Sequence, residues 1–401
     1  MMKNKFFLFT CLALFALSSC EKGGDYIEFE DNALMKRCLL LEDYNQDGKL
    51  SFEEAANIEK LNVKGLGIQS LNGIENLPNL RSLVISNNPI KTLVLRNNTQ
   101  LSGVVAENCP LQTIDLSGCT NLRSLYLSGA SLGRLDLSPF PNLYQAELSS
   151  CGLKELELRN NPNLNSLLLR NDNLASVDLS ANLELETLFL FGLPIKKLEL
   201  SNNKNLKTLT IDQLQLDPVS LSLPQLNRVS IYNSSADIDF SNCPNMESLK
   251  ISKSNFKTLV LNKSLTHLMI DDSTLGLLDH TRCTALNNIT LSNTPIQRLD
   301  LSNTEQGSNL MYSVSIDNCS LKELVFPKFK IHSLSVIIKN NLLTELTIHA
   351  DPSYSLHQLR LINEKLLSKL YLTKNVTIFG ITQNRSSQYI PDNTEIIYLD
   401  E

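Results

Sequence analysis

The sequence is poor in the residues that usually build one bulky core. Its 401 residues include no tryptophan, and aromatic residues make up only 6% of them. Aromatic side chains normally supply the largest buried surfaces of a globular core, so their scarcity favours many small, similar layers. Basic runs are missing too, and the formal net charge is −6. A chain of this charge lacks the positive surface through which proteins bind nucleic acid.

An apolar run from Phe6 to Leu17 follows two lysines near the N-terminus and ends in small residues. The run is shorter than the roughly 20 residues that a membrane-spanning helix requires, and its pattern predicts a secretory signal peptide over residues 1–19. The residues LSSC, which end at Cys20, resemble the lipobox of bacterial lipoproteins. That resemblance implies lipid modification of Cys20 and a membrane anchor with a linker over residues 20–28. Ordinary cleavage with an incidental Cys20 is the alternative.

Leucine recurs at intervals of 21 residues, and this regularity dominates the chain. The first leucines of successive units are Leu80, Leu101, Leu122, Leu143, Leu164, Leu185 and Leu206. Each unit has the pattern L-x-x-L-x-L-x-x-N/C-x-L, as residues 80–90 and 164–174 show, and this pattern matches the leucine-rich repeat. Units continue with small slips in length, so about fifteen coils are predicted over residues 61–372. Boundaries between residues 305 and 345 stay open because the spacing is irregular there.

The second half of each coil carries an alternation of its own. Segments such as TIDLSGC (113–119) and ELELRNN (155–161) alternate apolar and polar residues, which indicates an extended strand with one buried face. The predicted fold class is therefore a leucine-rich repeat solenoid, mostly β, with two short parallel strands per coil of about 21 residues. Each coil contacts only its neighbours, so both ends need caps. Residues 373–401 are predicted to form the C-terminal cap.

Small polar residues and cysteines recur at two turn positions of the coil. The ninth place holds Asn88, Cys109, Cys151, Asp172, Ser234, Ser254, Ser273, Thr294 and Cys319, and a later place holds Asn98, Cys119, Asn161, Asn182, Asn203, Cys243 and Cys283. Such side chains can bond to backbone groups that a bend leaves unpaired. Cysteines two coils apart would be separated by roughly 9 to 10 Å, beyond the roughly 7 Å that a disulfide allows. These cysteines are therefore predicted to be buried free thiols.

A calcium-loop pattern precedes the repeats. Residues 43–54, DYNQDGKLSFEE, fit D-x-[DN]-x-[DN]-G-x5-E without a mismatch. The predicted Ca²⁺ ligands are Asp43, Asn45, Asp47, the backbone carbonyl of Lys49, Ser51 and Glu54. Residues 30–41 and 51–61 on either side favour helices, so a helix-loop-helix cap with a structural calcium ion is predicted over residues 29–60. The alternative is an acidic turn that caps a helix without metal.

Residues 43–88, together with the lipobox and the repeats, resemble the N-terminal cap and first repeats of internalin-like leucine-rich lipoproteins of Gram-negative gut bacteria. The resemblance covers nearly the whole chain. It implies an exported protein, anchored to the outer membrane and exposed at the cell surface, that recognises a protein or a glycan. The chain departs from that family in having fewer asparagines at the ladder positions.

Outward places on the first strand of each coil predict a ligand face on the concave side. The candidates, taken from the fifth and seventh places, are Tyr126, Leu168, Arg170, Phe189, Phe191, Asp212, Tyr232, Lys250 and Asp271. Exposed aromatic side chains that lie close together usually mark an interaction site, although they could merely cover the sheet by cross-strand stacking. The second strand carries an acidic column, which predicts a solvated back face or a second cation site: Asp115, Asp136, Glu157, Asp178 and Glu199.

No catalytic motif accompanies the repeats. The sequence has no G-x-S-x-G, phosphate-loop or H-E-x-x-H pattern, and its five histidines show no metal spacing. The repeats also leave no room for a catalytic domain. We therefore predict a monomeric binding protein that is not an enzyme. It would be a surface recognition or adhesion module, or an accessory subunit docked permanently to another outer-membrane protein.

Overall fold

The computed structural model describes residues 26–280, 282–303, 311–327, 333–349, 357–374, 378–379 and 390–399. The chain winds into a parallel β-solenoid of leucine-rich repeats, as the 21-residue spacing predicts. In the described ranges the helical segments are α1 (Asn32–Glu42), α2 (Phe52–Ala55) and one 3-10 turn (Ile74–Asn76).

In the described ranges, sixteen parallel strands form one continuous sheet, termed the front sheet. Its strands are Lys60–Asn62, Ser82–Val84, Gly103–Ala106, Ser124–Ser128, Gln145–Ser149, Ser166–Arg170, Thr187–Phe191, Thr208–Asp212, Arg228–Tyr232, Ser248–Ser252, His267–Asp271, Asn288–Ser292, Met311–Asp317, Ser333–Lys339, His357–Ile362 and Ile378–Phe379. Leu188 pairs with Leu167 on one side and with Leu209 on the other. Equal places in neighbouring coils therefore lie side by side.

The repeated apolar places point into the solenoid. In the unit that begins at Leu80, the side chains of Leu80, Leu83, Ile85 and Ile90 are all fully buried. Burial of one such side chain contributes roughly 1.5–3 kcal/mol. Each coil can complete this burial only by stacking on the next, so the repeat itself specifies the solenoid.

On the opposite side of the solenoid, the described residues form shorter strands in four separate parallel sheets. The four sets are Thr92–Val94 with Thr113–Asp115; Arg134–Asp136 with Glu155–Glu157; Val219–Ser220, Ile238–Asp239, Asn255–Val260 and Thr274–Asp279; and Arg298–Asp300, Glu323–Val325, Glu345–Ile348, Lys369–Thr373 and Glu395–Leu399. No back strand forms within residues 171–180 or 192–200, although Leu179, Leu198 and Leu200 stay buried there. In these segments the inward side chains are held by core packing, without strand pairing of the backbone.

A left-handed residue follows the end of most front strands. Positive φ angles occur at this place in Asn87, Asn108, Gly129, Ser150, Asn171, Gly192, Gln213, Asn233, Lys253, Asp272, Asn293, Asn318, Asn340 and Asn363. Asparagine and glycine adopt this conformation at the lowest energetic cost, which accounts for their frequency there. Side chains at this place can also bond to each other in neighbouring coils. Asn108 Nδ2, for example, donates to Asn87 Oδ1 at 2.9 Å.

The predicted polar ladders are present. Asn161, Asn182 and Asn203 each donate Nδ2 to two backbone carbonyls of the solenoid, at 2.8 to 3.1 Å. Cys119 Sγ donates to the carbonyl of Leu95 at 3.2 Å. The ladder cysteines of the described ranges are buried free thiols, as predicted, and so is Cys38 of the N-terminal cap; the ladder members are Cys109, Cys119, Cys151, Cys243, Cys283 and Cys319.

The N-terminal segment packs on the first coil. Leu34, Cys38 and Leu50 are fully buried in the continuous core of the solenoid. Arg37 Nε also donates to the backbone carbonyl of Asn62 at 3.0 Å. This segment therefore shields the apolar end of the first coil from water.

The second cap helix is shorter than the sequence suggests. The prediction of a helix over residues 51–61 is wrong beyond Ala55, because Lys60–Asn62 forms the first front strand and pairs with Ser82–Val84. As a strand, these residues form backbone hydrogen bonds with the second coil, which a helix could not form. Only residues 56–59 therefore connect the second cap helix to the first front strand.

Candidate ligand face and calcium loop

The predicted ligand-face residues lie on two outward rows of the front sheet. The fifth-place row contains Tyr126, Leu168, Phe189 and Lys250, and the seventh-place row contains Arg170, Phe191, Asp212, Tyr232 and Asp271. Along the strand Thr187–Phe191 half-buried and fully buried residues alternate. Both rows therefore face outward, as the period of two predicts.

Five of these residues form two contacting groups, together termed the aromatic patch: Arg170, Phe189 and Phe191 in one group, and Tyr232 and Lys250 in the other. The ring centroids of Phe189 and Phe191 are 6.2 Å apart, and the ring planes differ by 14°. The guanidinium carbon of Arg170 lies 4.3 Å from the centroid of Phe191, and Lys250 Nζ lies 5.6 Å from the centroid of Tyr232. Each exposed cation–π contact contributes roughly 0.5–1 kcal/mol. Each group of the patch thus combines aromatic surface with one positive charge.

Tyr126 does not belong to the aromatic patch. It shares a row with Phe189, but Glu147 and Leu168 lie between them, so three strand spacings of roughly 4.8 Å separate the two aromatic residues. Burial, with a smaller contribution from the charge of Glu147, raises the pKa of Tyr126. The sequence places the two residues on one face, and the structure shows that they cannot act as one anchor.

One predicted carboxylate lies within the aromatic patch and another lies beyond it. Asp212 lies between Phe191 and Tyr232 in the seventh-place row, and its Oδ1 accepts a hydrogen bond from Asn233 Nδ2 at 2.8 Å. Asp271 lies two strands beyond Tyr232 in the same row. These acids provide hydrogen-bond acceptors around an otherwise positive and apolar surface.

The calcium-pattern loop is closed by its own polar side chains. Asp43 Oδ2 accepts the N–H of Gly48 at 3.2 Å, and Asn45 Oδ1 accepts that of Asp47 at 2.9 Å. Asp47 Oδ1 accepts the N–H of Lys49 at 2.8 Å. Gly48 has a φ of +76° and open space around it, so backbone conformation, not crowding, favours glycine at this turn.

Glu54 connects the two ends of the loop. Its carboxylate accepts the N–H of Tyr44 at 3.0 Å, the N–H of Ser51 at 2.9 Å and the hydroxyl of Ser51 at 2.8 Å. Glu54 N donates in return to Ser51 Oγ, which completes a capping box at the start of α2. Hydrogen bonds from Ser51 hold the pKa of Glu54 below its ordinary value.

One atom of the loop fits a bound cation in particular. Asp43 Oδ1 is buried and has no hydrogen-bond partner, although buried carboxylate oxygens are normally satisfied. Carboxylate and amide oxygens such as those of the loop are the ligands that Ca²⁺ prefers. Among the described residues, no three His, Cys, Asp or Glu side chains cluster closely enough to hold a metal ion. Convergence of Asp43, Asp47 and Glu54 on one ion therefore requires these side chains to move closer together.

Carboxylates of the acidic column on the back of the solenoid form hydrogen bonds within their own turns. Asp115 Oδ1 accepts the N–H of Ser117 at 3.1 Å, and Asp178 Oδ1 accepts that of Ser180 at 3.0 Å. Hydrogen bonds from these serines lower the pKa of both carboxyl groups. Each acid thereby closes its own turn, so the structure favours the solvated back face over a second cation site.

The predicted lipidation residue, Cys20, lies outside the described residues. Ile27, near the end of the predicted linker, is 4% exposed and donates its N–H to the carbonyl of Leu50 at 2.8 Å. The chain is therefore already packed on the cap at that point. No helix in the described part of the chain combines the length and apolar character needed to cross a membrane.

One further exposed aromatic residue lies outside the predicted ligand face, because that face comprises only the fifth and seventh places. Tyr144 occupies the second place of its unit, is 51% exposed, and borders an open groove of about 700 Å³. Polar side chains from three neighbouring coils line this groove. Inspection of the second place in each unit would have found it from the sequence.

No protein-family model matches the chain, and no curated protein matches it. In structure, the chain is similar to an internalin from Listeria monocytogenes, with a TM-score of 0.52, 21% identity, and coverage of 93% of this chain and 96% of that one. It is also similar to a leucine-rich repeat protein of Leptospira interrogans, with a TM-score of 0.56, 18% identity, and coverage of 86% and 97%. At such low identity the likeness establishes the fold, which is a leucine-rich repeat solenoid like that of the internalin.

Proposed function

We propose that this chain is a surface recognition protein whose front sheet binds a partner protein at the aromatic patch. The observation that carries the proposal is the patch itself, in which stacked Phe189 and Phe191 adjoin Arg170 on a sheet fixed on both sides by neighbouring strands. Aromatic and arginine side chains supply much of the binding energy at protein interfaces. Repeat solenoids also offer long, pre-organised binding surfaces.

A partner protein suits this chemistry better than a glycan does. The phenylalanine pair offers an apolar centre without hydrogen-bonding groups, and the polar residues Arg170 and Asp212 lie on either side of it in the neighbouring strands. Protein interfaces share this arrangement of an apolar centre and a polar rim. A glycan, the other ligand class that the sequence predicts, is an alternative outcome of the test.

Affinity capture tests the proposal. The full chain is purified in detergent, immobilised, and exposed to extracellular matrix and cell-surface proteins, and binding of each captured protein is then measured with purified components. The double variant Phe189→Ser and Phe191→Ser is expected to bind at least roughly 30-fold more weakly, because an anchor pair of this kind contributes about 2 kcal/mol or more. Its thermal unfolding should show only a small loss of stability, because both rings are partly exposed and only the exposed cation–π contact of Phe191 is lost.

The matched control is Leu366→Ser, which removes a leucine that is 54% exposed and lies outside the aromatic patch. Full binding by the double variant would contradict the proposal. A partner that co-purifies stoichiometrically from the cell's own outer membrane, and is lost from the double variant, would instead make the chain an accessory subunit.

We also propose that the chain is exported and attached to the outer membrane through lipid on Cys20. The support is the sequence alone, in which an apolar run ends in LSSC. Intact-mass analysis should show cleavage before Cys20 and a mass increase equal to its acyl groups. The variant Cys20→Ala should appear in the soluble fraction, and persistent membrane attachment of that variant would refute lipidation as the anchor.

We propose that the loop binds Ca²⁺ and that the ion braces the N-terminal cap. The oxygen ligands would come from Asp43, Asn45, Asp47, the carbonyl of Lys49, Ser51 and Glu54. The unsatisfied Oδ1 of Asp43 supports this assignment. A bound cation supplies positive charge that offsets the repulsion between the loop carboxylates.

Calorimetry and thermal unfolding test the calcium proposal. Extracellular calcium modules bind with Kd of about 10⁻⁴ to 10⁻³ M, and an ion at ten times its Kd stabilises the folded state by about 1.4 kcal/mol. The double variant Asp43→Asn and Asp47→Asn should lose both the binding heat and the stabilisation. The control Asp136→Asn, on the solenoid's back, should keep both; equal stabilisation of all three chains would exclude the loop as the site.

A further inference from the structure

A row of side chains follows the edge at which the front strands begin. It consists of the residue after the first leucine of each unit: Arg81, Ser102, Arg123, Tyr144, Asn165, Glu186 and Lys207. The N–H of Tyr144 donates to the carbonyl of Arg123 at 2.8 Å, and the N–H of Asn165 donates to the carbonyl of Tyr144 at 2.9 Å. These bonds fix the spacing of the row. Tyr144 is the one aromatic residue among the seven.

The fold makes little use of the Tyr144 side chain. The residue is 51% exposed, and no residue of the described ranges hydrogen-bonds to its hydroxyl group or stacks on its ring. Elsewhere in this chain, outward aromatic residues such as Phe191 and Tyr232 have a cation over the ring. The ring of Tyr144 is therefore available to a ligand.

The groove beside this ring, termed the Tyr144 groove, is rich in side-chain amides. Asn163 Nδ2 donates to the carbonyl of Pro141 at 3.0 Å, and Asn142 Nδ2 donates to that of Thr120 at 3.4 Å. The same bond recurs in other coils, where Asn121 Nδ2 donates to the carbonyl of Thr99 and Asn202 Nδ2 to that of Ser180, so it is structural. These bonds also hold each amide in one orientation, with its Oδ1 left as an acceptor for a ligand.

The charges of the Tyr144 groove balance. Arg123 forms no ion pair with any described residue and can donate several hydrogen bonds. Glu184 lies on the same groove, where its Oε2 accepts a hydrogen bond from Asn205 Nδ2 at 3.2 Å. One guanidinium and one carboxylate leave no net charge to select an ionic ligand.

We propose that the Tyr144 groove binds a neutral pyranose sugar within a glycan. A pyranose ring has an apolar C–H face that can stack on the Tyr144 ring, and its hydroxyl groups both donate and accept hydrogen bonds. Amides, a guanidinium and a carboxylate offer matching donors and acceptors at the groove wall. The groove volume of about 700 Å³ lies within the range of small-ligand sites.

Other ligand classes match the groove less well. A phosphate or carboxylate ligand would meet Glu184 as well as Arg123, so attraction and repulsion would offset each other. A purely apolar ligand would leave the amides and charged groups of the groove without water or partners, which is costly. A neutral, polyhydroxylated ring with one apolar face avoids both problems.

The Tyr144 groove is independent of the proposed protein-binding surface. No residue of the aromatic patch lines it, and Tyr144 lies two coils before Phe189 on the starting edge of the sheet. Glycan binding at this groove can therefore succeed or fail separately from protein binding at the aromatic patch.

An oligosaccharide array tests the proposal with the full chain in detergent. The array carries neutral hexose and N-acetylhexosamine oligosaccharides beside sialylated and sulfated ones, and calorimetry with the best neutral oligosaccharide follows. Tyr144→Ala is expected to weaken its binding by roughly tenfold or more. Tyr144→Phe, which keeps the ring, should retain most of the affinity.

Two control variants locate the site. Tyr398→Ala removes another tyrosine, 55% exposed, and should bind the oligosaccharide like the parent chain, as should the variant Phe189→Ser and Phe191→Ser. The proposal is overturned if no neutral oligosaccharide binds, if only sialylated or sulfated ones bind, or if Tyr144→Ala keeps the parent affinity. Unchanged thermal unfolding of Tyr144→Ala confirms that a loss of binding is not a loss of fold.

Discussion

Asp172 and Asn341 occupy the same place in two coils and accept the same pattern of backbone hydrogen bonds. Each uses its Oδ1 to accept the N–H groups of a cysteine and a leucine in the preceding coil, at 2.8 to 3.3 Å. Asn341 Nδ2 also donates to the carbonyl of Lys339 at 2.6 Å. The corresponding atom of the aspartate, Asp172 Oδ2, is buried without a hydrogen-bond partner.

We therefore expect Asp172→Asn to stabilise the protein. The new amide can donate to the turn as Asn341 does, and removal of a buried unsatisfied oxygen is worth about 1–3 kcal/mol. Urea unfolding at neutral pH measures the change. The control Asp136→Asn alters an exposed carboxylate and should change the free energy of unfolding by less than about 0.5 kcal/mol. A destabilised Asp172→Asn chain would contradict this account of the ladder.

The stabilisation by Asp172→Asn should depend on pH. Burial raises the pKa of Asp172 above its ordinary value of 3.8, so the folded chain holds this proton more tightly than the unfolded chain does. The contribution to stability is complete below pH 3.8 and is lost as the pH rises through the higher, folded-state pKa. The advantage of the variant over the parent should thus grow with pH over this window. Urea midpoints in a pH series measure it, and a constant difference would refute the assignment.

Gly118 is a position at which no side chain fits. A Cβ added there would lie 1.7 Å from the backbone carbonyl oxygen of Arg96, and a backbone atom cannot rotate away. Gly118→Ala should destabilise the protein by at least about 2 kcal/mol, as overpacked substitutions do. Gly103→Ala is the matched control, because its Cβ would meet only the side-chain oxygen of Ser124 at 3.0 Å. Thermal unfolding compares the two, and equal losses would show that the Arg96 contact is not the cause.

The described cysteines should resist modification in the folded protein. Burial raises the pKa of Cys38, Cys151 and Cys283 to about 12, so the reactive thiolate is scarce at pH 8 and the sulfur is shielded. A maleimide should label these thiols only after unfolding in urea, as mass spectrometry of peptides would show. Leu366→Cys provides an exposed control that should react at once. Rapid labelling of Cys151 in the native chain would contradict the buried ladder.

The spacing of apolar residues predicts the solenoid because each coil needs a fixed number of residues to return to its starting point. For the same reason the outward places could be assigned, and Phe189 and Phe191 lie where the period of two puts them. The ladder asparagines were predictable too, because a bend leaves backbone groups unpaired whatever the neighbouring sequence. These features depend on chain geometry and therefore repeat.

Features that depend on individual side-chain contacts could not be predicted from the spacing of the repeats or the alternation along the strands. Tyr126 shares a face with Phe189, but membership of a face says nothing about distance along the sheet. The helix predicted through residue 61 ends at Ala55, because pairing of Lys60–Asn62 with the next coil outweighs local helix preference. Glu54 fits a ligand position in the sequence and is also the partner of Ser51 in a capping box, and only atomic geometry distinguishes these two uses.

The front sheet runs unbroken through sixteen strands while the back is divided into short sheets. Strand pairing is limited to nearest neighbours throughout, so replacement of an outward side chain disturbs at most the two adjoining coils. Surface chemistry can therefore change one coil at a time while the leucine frame stays constant. A scaffold of this kind can acquire, lose or relocate contacts with new partners during evolution while the buried residues that specify its fold stay the same.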